Sequence, residues 1–230
     1  MGPEANRTGN DLTLERLYAL RFSPAERAAN ERLWRVLCDR SLSRFVPADA
    51  TVVDVGAGGC GFINHIRAKR RIAVDLDPRV RERAAPGVEV HNSDIVSLPD
   101  LLGPSSVDVA FASNIFEHLP SADELLRVLN AIRTILRPGG RIIILQPNVR
   151  LVGGRFWDFL DHTLPLTEAG MQEALAVAGF RTISCRARFL PYTTKSRAPK
   201  PAWLLRMYLA LPPAQWLFGK QMLIVATPEP

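Results

Sequence analysis

The chain has 230 residues, 47% of them hydrophobic and 23% charged, the balance of a globular protein rather than a disordered or membrane-spanning one. Lys and Arg outnumber Asp and Glu by 29 to 23, a formal charge of +6. No run of five like charges occurs, and arginine-rich stretches such as Arg79–Arg83 also carry an acid, so nucleic-acid binding is not expected.

Cys38, Cys60 and Cys185 lie far apart with no CxxC pair, which excludes a disulfide framework or a thiolate zinc cluster and suits a reducing compartment. Met1–Asp11 is polar, without an apolar core preceded by positive charge, so no secretory leader is expected. The longest apolar runs, such as Ile142–Leu145, fall far short of the ~20 residues of a membrane span. A cytoplasmic location follows as the expectation.

The first 50 residues have helical character. Ser23-Pro24-Ala25-Glu26 reads as a capping box, with Leu33, Val36 and Leu37 as the apolar face behind it. From Thr51 the pattern changes to short apolar runs alternating with helical periodicity. Strands are predicted at Thr51–Val55, Arg71–Asp75, Val88–His91, Val107–Ala112 and Gly140–Gln146, and antiparallel runs at Thr182–Phe189 and Gln221–Thr227. Helices are predicted at Gly61–Ala68, Ala122–Leu136 and Thr167–Ala178. Continuous apolar strands alternating with helices predict an α/β fold with a doubly wound parallel sheet. One domain over 1–230 is expected, with an N-terminal helical cap (1–48) and an insert (191–220) before the last strand.

Val52-Val53-Asp54-Val55-Gly56-Ala57-Gly58-Gly59-Cys60-Gly61 is a strand, a glycine-rich turn and a helix start. Gly56 and Gly58 would let backbone approach a ligand closely. About 20 residues on, the next strand ends in Asp75-Leu76-Asp77-Pro78, where an acid can accept hydrogen bonds from ribose hydroxyls. The two together point to a nucleoside-type cofactor, and Gly61 completes a GxGxxG string that NAD-binding turns share. Each residue also has a purely structural reading: a tight turn for the glycines, a turn acid for Asp75 and Asp77, a loop cap for Asp94.

These residues resemble the class I S-adenosylmethionine (SAM)-dependent methyltransferases over roughly residues 50–227. Asp54 before the glycines is similar to that family's DxGxGxG signature, and Asp75 matches its ribose acid. Asn92-Ser93-Asp94-Ile95 is similar to its adenine-contacting segment. Val107–Asn114 followed by Glu117-His118-Leu119 resembles the fourth-strand motif beside the methyl donor, and Leu136–Arg141 resembles the turn into strand five. The resemblance implies a seven-stranded Rossmann-like sheet with its last strand antiparallel. It implies SAM as cofactor, held by Asp54, Gly56, Ala57, Gly58, Gly61, Asp75, Leu76, Asp94, Ile95, Ser113 and Asn114. Gln146-Pro147-Asn148, Trp157-Asp158-Phe159, Asp161-His162 and Phe189–Lys195 are similar to a bacterial subgroup encoded beside envelope-glycan genes. That points to a small-molecule, glycan or lipid-linked acceptor, and to O-methylation.

His162 and His118 are the candidate catalytic residues, His162 as a general base toward an acceptor hydroxyl. No His/carboxylate cluster shows metal-ligand spacing, so no metal is expected. Pro191–Lys220 is far longer than a hairpin needs. It carries Lys195, Arg197 and Lys200, then Trp203, Leu204, Met207, Tyr208 and Leu211. A docked helix, a homodimer contact, a substrate cap and a peripheral contact of 195–218 with the inner membrane face are all open readings. Two other functions share the cofactor motifs: an NAD-dependent oxidoreductase, though without a Tyr-x-x-x-Lys pair, and a SAM-binding non-catalytic partner protein.

Overall fold

The computed structural model describes residues 24–192 and 201–229, with side chains from Ala28 onward. Ser23 and the Glu26 side chain, two members of the capping box, lie outside the described residues. Helix α1 (Pro24–Leu37) does open on Pro24. It runs on through a π turn, Cys38–Leu42, and a 3-10 turn, Ser43–Phe45.

The strands are β1 (Thr51–Val55), β2 (Arg70–Asp75), β3 (Val88–Asn92), β4 (Val107–Ser113), β5 (Leu136–Pro147), β6 (Phe180–Leu190) and β7 (Gln221–Pro228). They form one seven-stranded sheet in the order β3-β2-β1-β4-β5-β7-β6. β1 to β5 pair in parallel, while β7 lies antiparallel between β5 and β6. Both late runs were expected to be antiparallel. Only β7 reverses: β6 opposes β7 and so points the same way as the parallel strands.

The apolar runs are apolar because both sheet faces are covered. Val53, Val55, Ile72, Val74, Ile142 and Ile144 pack with Leu125, Leu129 and Ile132 of helix α5 (Ala122–Ile135). Val52, Ala73, Val109, Phe111, Ile143 and Leu145 face the other side, toward α1 and helix α2 (Gly61–His65). The periodicity of α5 matches its burial, and its Ser121 Oγ caps it by accepting the Glu124 N–H at 3.2 Å.

Between β1 and α5 the chain also forms two short helices the periodicity did not reveal, α3 (Val80–Arg83) and α4 (Leu98–Leu102). α2 is shorter than expected because Ile66 is already extended. After β5 come α6 (Val149–Val152) and α7 (Glu168–Val177), the latter capped by the Thr167 hydroxyl. The insert folds as α8 (Ala202–Ala210) and α9 (Pro212–Phe218), divided by the two prolines. Among the described residues no helix is long and apolar enough to cross a membrane.

From β1 the chain walks outward to β3, then returns to the far side of β1 to place β4. The β1/β4 boundary is thus a topological switch point. At such a point the loops leave a crevice outside the carboxyl ends of the strands, where ligands bind.

Candidate active site

The glycine loop leaves β1 at this crevice and is tied to β2: the Gly56 and Ala57 N–H groups both donate to Val74 O, at 2.9 and 3.1 Å. Gly56 has φ +71°, and a Cβ there would stand 2.8 Å from Ile115 Cδ1, so only glycine suits the position. Gly61 is required for a different reason. Its Cβ position falls inside the Trp34 indole, so this glycine seats α1 on α2.

Asp75 closes the loop from the other side, accepting the Gly58 N–H at 2.6 Å on Oδ2 and the Asp77 N–H at 2.8 Å on Oδ1. Burial lifts its pKa, and these N–H groups hold part of the rise back. Asp77 is an anchor: it accepts from the Arg79 side chain at 2.8 Å and from Arg83 at 3.1 Å, and Arg83 also donates to Gly58 O at 3.1 Å. Burial alone would raise Asp77, but the Arg79 hydrogen bonds and both guanidinium charges outweigh it and hold the group low. Asp54 is buried inside β1. Desolvation pushes its pKa up to about 8, against a hydrogen bond from the Ile63 N–H and with the Asp75 charge adding to the rise.

Beside Asp75, Leu76 is 63% exposed although apolar, an open face at the end of β2. Asp94 caps the following turn by accepting the Val96 N–H at 3.1 Å, and Ile95 is buried behind it. Asn92 escaped the sequence reading as a site residue: its Nδ2 donates to Asp75 O and Leu76 O at 2.9 and 2.8 Å, fixing the backbone of both. At the end of β4, Asn114 takes φ +49°, its N–H donating to Leu145 O at 2.9 Å and its Nδ2 to Ser113 Oγ at 3.1 Å.

The loops after β4 and β5 are zipped together. Thr163 N–H and Leu164 N–H donate to Glu117 O at 2.8 and 3.1 Å, and the Thr163 hydroxyl donates to Leu119 O at 2.7 Å. This brings His162 beside His118, ring centroids 5.1 Å apart. His162 is only 8% exposed and lies against the Phe156 and Phe159 rings, at 4.6 and 4.8 Å. Asp161 serves the other imidazole: His118 Nδ1 lies 3.0 Å from Asp161 O and 3.4 Å from Asp161 Oδ2. Glu117 is 2% exposed, and burial pushes its pKa up to about 8, less a hydrogen bond from its own N–H and plus the Asp161 charge.

Although no His/carboxylate cluster shows metal-ligand spacing along the sequence, the fold assembles one. Ligand atoms of Glu117, His118 and His162 all lie within 4.8 Å of one another. The residues come from two loops far apart in sequence, so linear spacing could not reveal them. The polar ends of β5 and β7 were missed too: Gln146 Oε1, Asn148 Oδ1 and Gln221 Oε1 are buried without a hydrogen-bond partner among the described residues. Asn148 is held by donation to Glu168 Oε2 at 2.7 Å.

In the insert, Lys195, Arg197 and Lys200 lie outside the described residues. Trp203, Met207, Leu211, Trp216, Leu217 and Phe218 of α8 and α9 are exposed. Pro191, Leu204, Met207, Tyr208 and Phe218 line an apolar cavity of about 360 Å³. No residue of the glycine loop lines it. Tyr208 ties α8 to the sheet by donating to Phe189 O at 2.8 Å.

A parallel sheet with one reversed strand, a glycine loop after β1 and an acid ending β2 define a class I SAM-dependent methyltransferase fold. Residues 53–144 match the family described as Methyltransferase domain. A methyltransferase in complex with the Trm112 activator from Haloferax volcanii has the same fold, with TM-score 0.63 and 19% identity over 88% of this chain and 93% of that one. So does a SAM-dependent methyltransferase from Archaeoglobus fulgidus, with TM-score 0.58 and 20% identity over 84% and 93%. Geranyl diphosphate C-methyltransferase from Streptomyces coelicolor, in complex with Mg²⁺, geranyl diphosphate and S-adenosyl-L-homocysteine, has TM-score 0.55 and 17% identity over 85% and 76%. No curated protein matches the sequence.

Proposed function

We propose that the protein methylates an oxygen of a glycan or lipid-linked acceptor seated between the loops after β4 and β5. Bound SAM supplies a methyl group already activated on a sulfonium, so the protein's work is alignment at about 3 Å and disposal of a proton. Gly56, Ala57, Gly58 and Gly61 with Asp54 beneath them form the methionine side, Asp75 the ribose side, and Leu76, Asp94 and Ile95 the adenine side. Ser113 and Asn114 border the methyl group. The carrying observation is that Gly56, Asp75 and Asn114, all in backbone positions fixed by their neighbours, converge on the β1/β4 switch point.

Oxygen is favoured as acceptor atom because His118 and His162 stand at the mouth, and a hydroxyl, unlike an amine, must be relieved of its proton for attack. With no ion present, His162 or the more open His118 is the base. A lipid-linked acceptor is supported by the exposed aromatic face of α8 and α9 and its apolar cavity, adjoining three basic residues in sequence. The same face would hold the protein at the inner membrane surface. A prenyl diphosphate is the acceptor in the Streptomyces coelicolor neighbour.

The test is calorimetry on ligand-free protein with SAM, S-adenosylhomocysteine and NAD, followed by turnover with hydroxyl-bearing acceptors. Micromolar binding of the first two and none of NAD is expected. NAD binding without SAM binding sinks the reading, and SAM binding with no product from any acceptor moves the protein to a non-catalytic role. Anionic vesicles should pull down the wild type and release the Trp203→Glu/Trp216→Glu variant. Equal sedimentation of the two removes the membrane contact.

A further inference from the structure

We propose that Glu117, His118 and His162 form a two-histidine, one-carboxylate site for a divalent cation of the zinc or manganese class, at the acceptor mouth. The proposal deepens the oxygen-acceptor reading and rests on it for its catalytic meaning, though not for the existence of the site.

Three independent features support it. The ligand atoms lie within 4.8 Å of one another. An ion about 2.1 Å from each ligand would space tetrahedral neighbours by roughly 3.4 Å, a closure that side-chain rotation supplies. Glu117 is almost wholly buried and its Oε2 has no hydrogen-bond partner among the described residues. A carboxylate oxygen in that position is costly unless a cation or a proton meets it. Finally, a carbonyl oxygen only accepts, so the 3.0 Å contact of His118 Nδ1 with Asp161 O makes Nδ1 the protonated nitrogen. Nε2 is left with its lone pair. An imidazole that donates one nitrogen to a carbonyl or carboxylate and offers the other is the arrangement of a metal-binding histidine. Phe156 and Phe159 flank the His162 ring and hold its plane.

Two nitrogens and one carboxylate select borderline transition ions over Mg²⁺ or Ca²⁺, which want oxygen-only shells. Three protein ligands also leave at least one coordination position open, as catalytic sites do. The acceptor's hydroxyl oxygen fits that position, and coordination lowers its pKa. Its proton passes to solvent. An oxygen lone pair then forms the bond to the methyl carbon as the carbon–sulfur pair returns to sulfur, giving the methyl ether and S-adenosylhomocysteine. On this account His118 and His162 are ligands and not bases.

The experiment uses the full chain, freed of metal by chelator and dialysis, titrated calorimetrically with ZnCl₂, MnCl₂, CoCl₂ and MgCl₂. The expected result is one Zn²⁺ per chain at micromolar affinity or tighter, visible ligand-field bands with Co²⁺, and no Mg²⁺ binding. Glu117→Gln and His118→Ala should each weaken Zn²⁺ at least about tenfold, the low end of what even a supporting contact is worth, while His65→Ala leaves it unchanged. Circular dichroism checks folding, and if Glu117→Gln does not fold, His118→Ala carries the comparison. Absence of Zn²⁺ binding in the wild type, or unchanged binding in folded His118→Ala, overturns the site and returns the imidazoles to proton transfer. SAM titrated into the same samples separates the two readings: metal binding without SAM binding leaves the site standing and removes its role in methyl transfer.

Discussion

Along the β1–β2 half of the sheet's carboxyl edge, polar groups have partners within the chain: Gly58 N–H has Asp75, Asp77 has Arg79 and Arg83, and Asn92 has the backbone of residues 75 and 76. Along the β4–β5–β7 half, Glu117 Oε2, Gln146 Oε1, Asn148 Oδ1 and Gln221 Oε1 have none among the described residues. On the proposed function, the first half is set in advance for one unvarying ligand. The second is built of parts that become satisfied only with something else present, and buried acceptors of this kind call for a donor or a cation. A fold that keeps its donor and varies its acceptor has reason to be rigid on one side of the switch point and incomplete on the other.

Four changes test that contrast. The largest effect is expected from Asp54, whose carboxyl is raised from 3.8 to about 8 by burial. A raised folded pKa means that its stabilising contribution is complete below the unfolded value and is lost as pH rises through the folded one. Thermal midpoints of ligand-free protein should therefore fall between pH 4 and 8, and Asp54→Asn should flatten that slope. A parallel slope in the variant removes Asp54 as its source.

Next, Asp75→Ala deletes the acceptor for two loop N–H groups and, on the proposed function, for the ribose. Charge-assisted hydrogen bonds at about 1.5–3 kcal/mol put the loss of SAM affinity at roughly 10- to 100-fold, read by calorimetry, with Zn²⁺ binding untouched. Gly56→Ala combines a left-handed φ with a Cβ pressed on Ile115. It should cost about 1–3 kcal/mol, seen as a lowered denaturation midpoint that Ile115→Ala only partly restores. The smallest effect belongs to Thr163→Val, which removes one hydrogen bond of the zip at about 1 kcal/mol. It should weaken Zn²⁺ more than SAM, and the reverse order would show that the two halves are not independent.

The glycine turn and the acids proposed to hold the cofactor stand out in the sequence because their parts are local. A strand, a glycine turn and an acid about twenty residues on are a single βαβ unit, and each residue does its work near its own place in the chain. The acceptor half does not, since Glu117 and His162 meet only through the Thr163 zip. The partner of Asp161, His118, lies 43 residues away in sequence, a pairing that the fold alone creates. The two late runs do pair antiparallel, but sequence marks a strand without naming its neighbours, and β7 inserts between β5 and β6. The GxGxxG match at Gly61 owes its last glycine to Trp34, a contact no motif encodes.

The insert departs from a hairpin that is already closed. Lys220 N–H donates to Leu190 O at 2.7 Å, and Leu190 pairs with Gln221 in the sheet. The strands thus meet at the root of the excursion, and the described helices α8 and α9 fold back on it, tied again by Tyr208. Shortening α8 and α9 is therefore expected to keep the β6–β7 pairing while removing the Tyr208 bond to Phe189 O, a change of local stability rather than of fold.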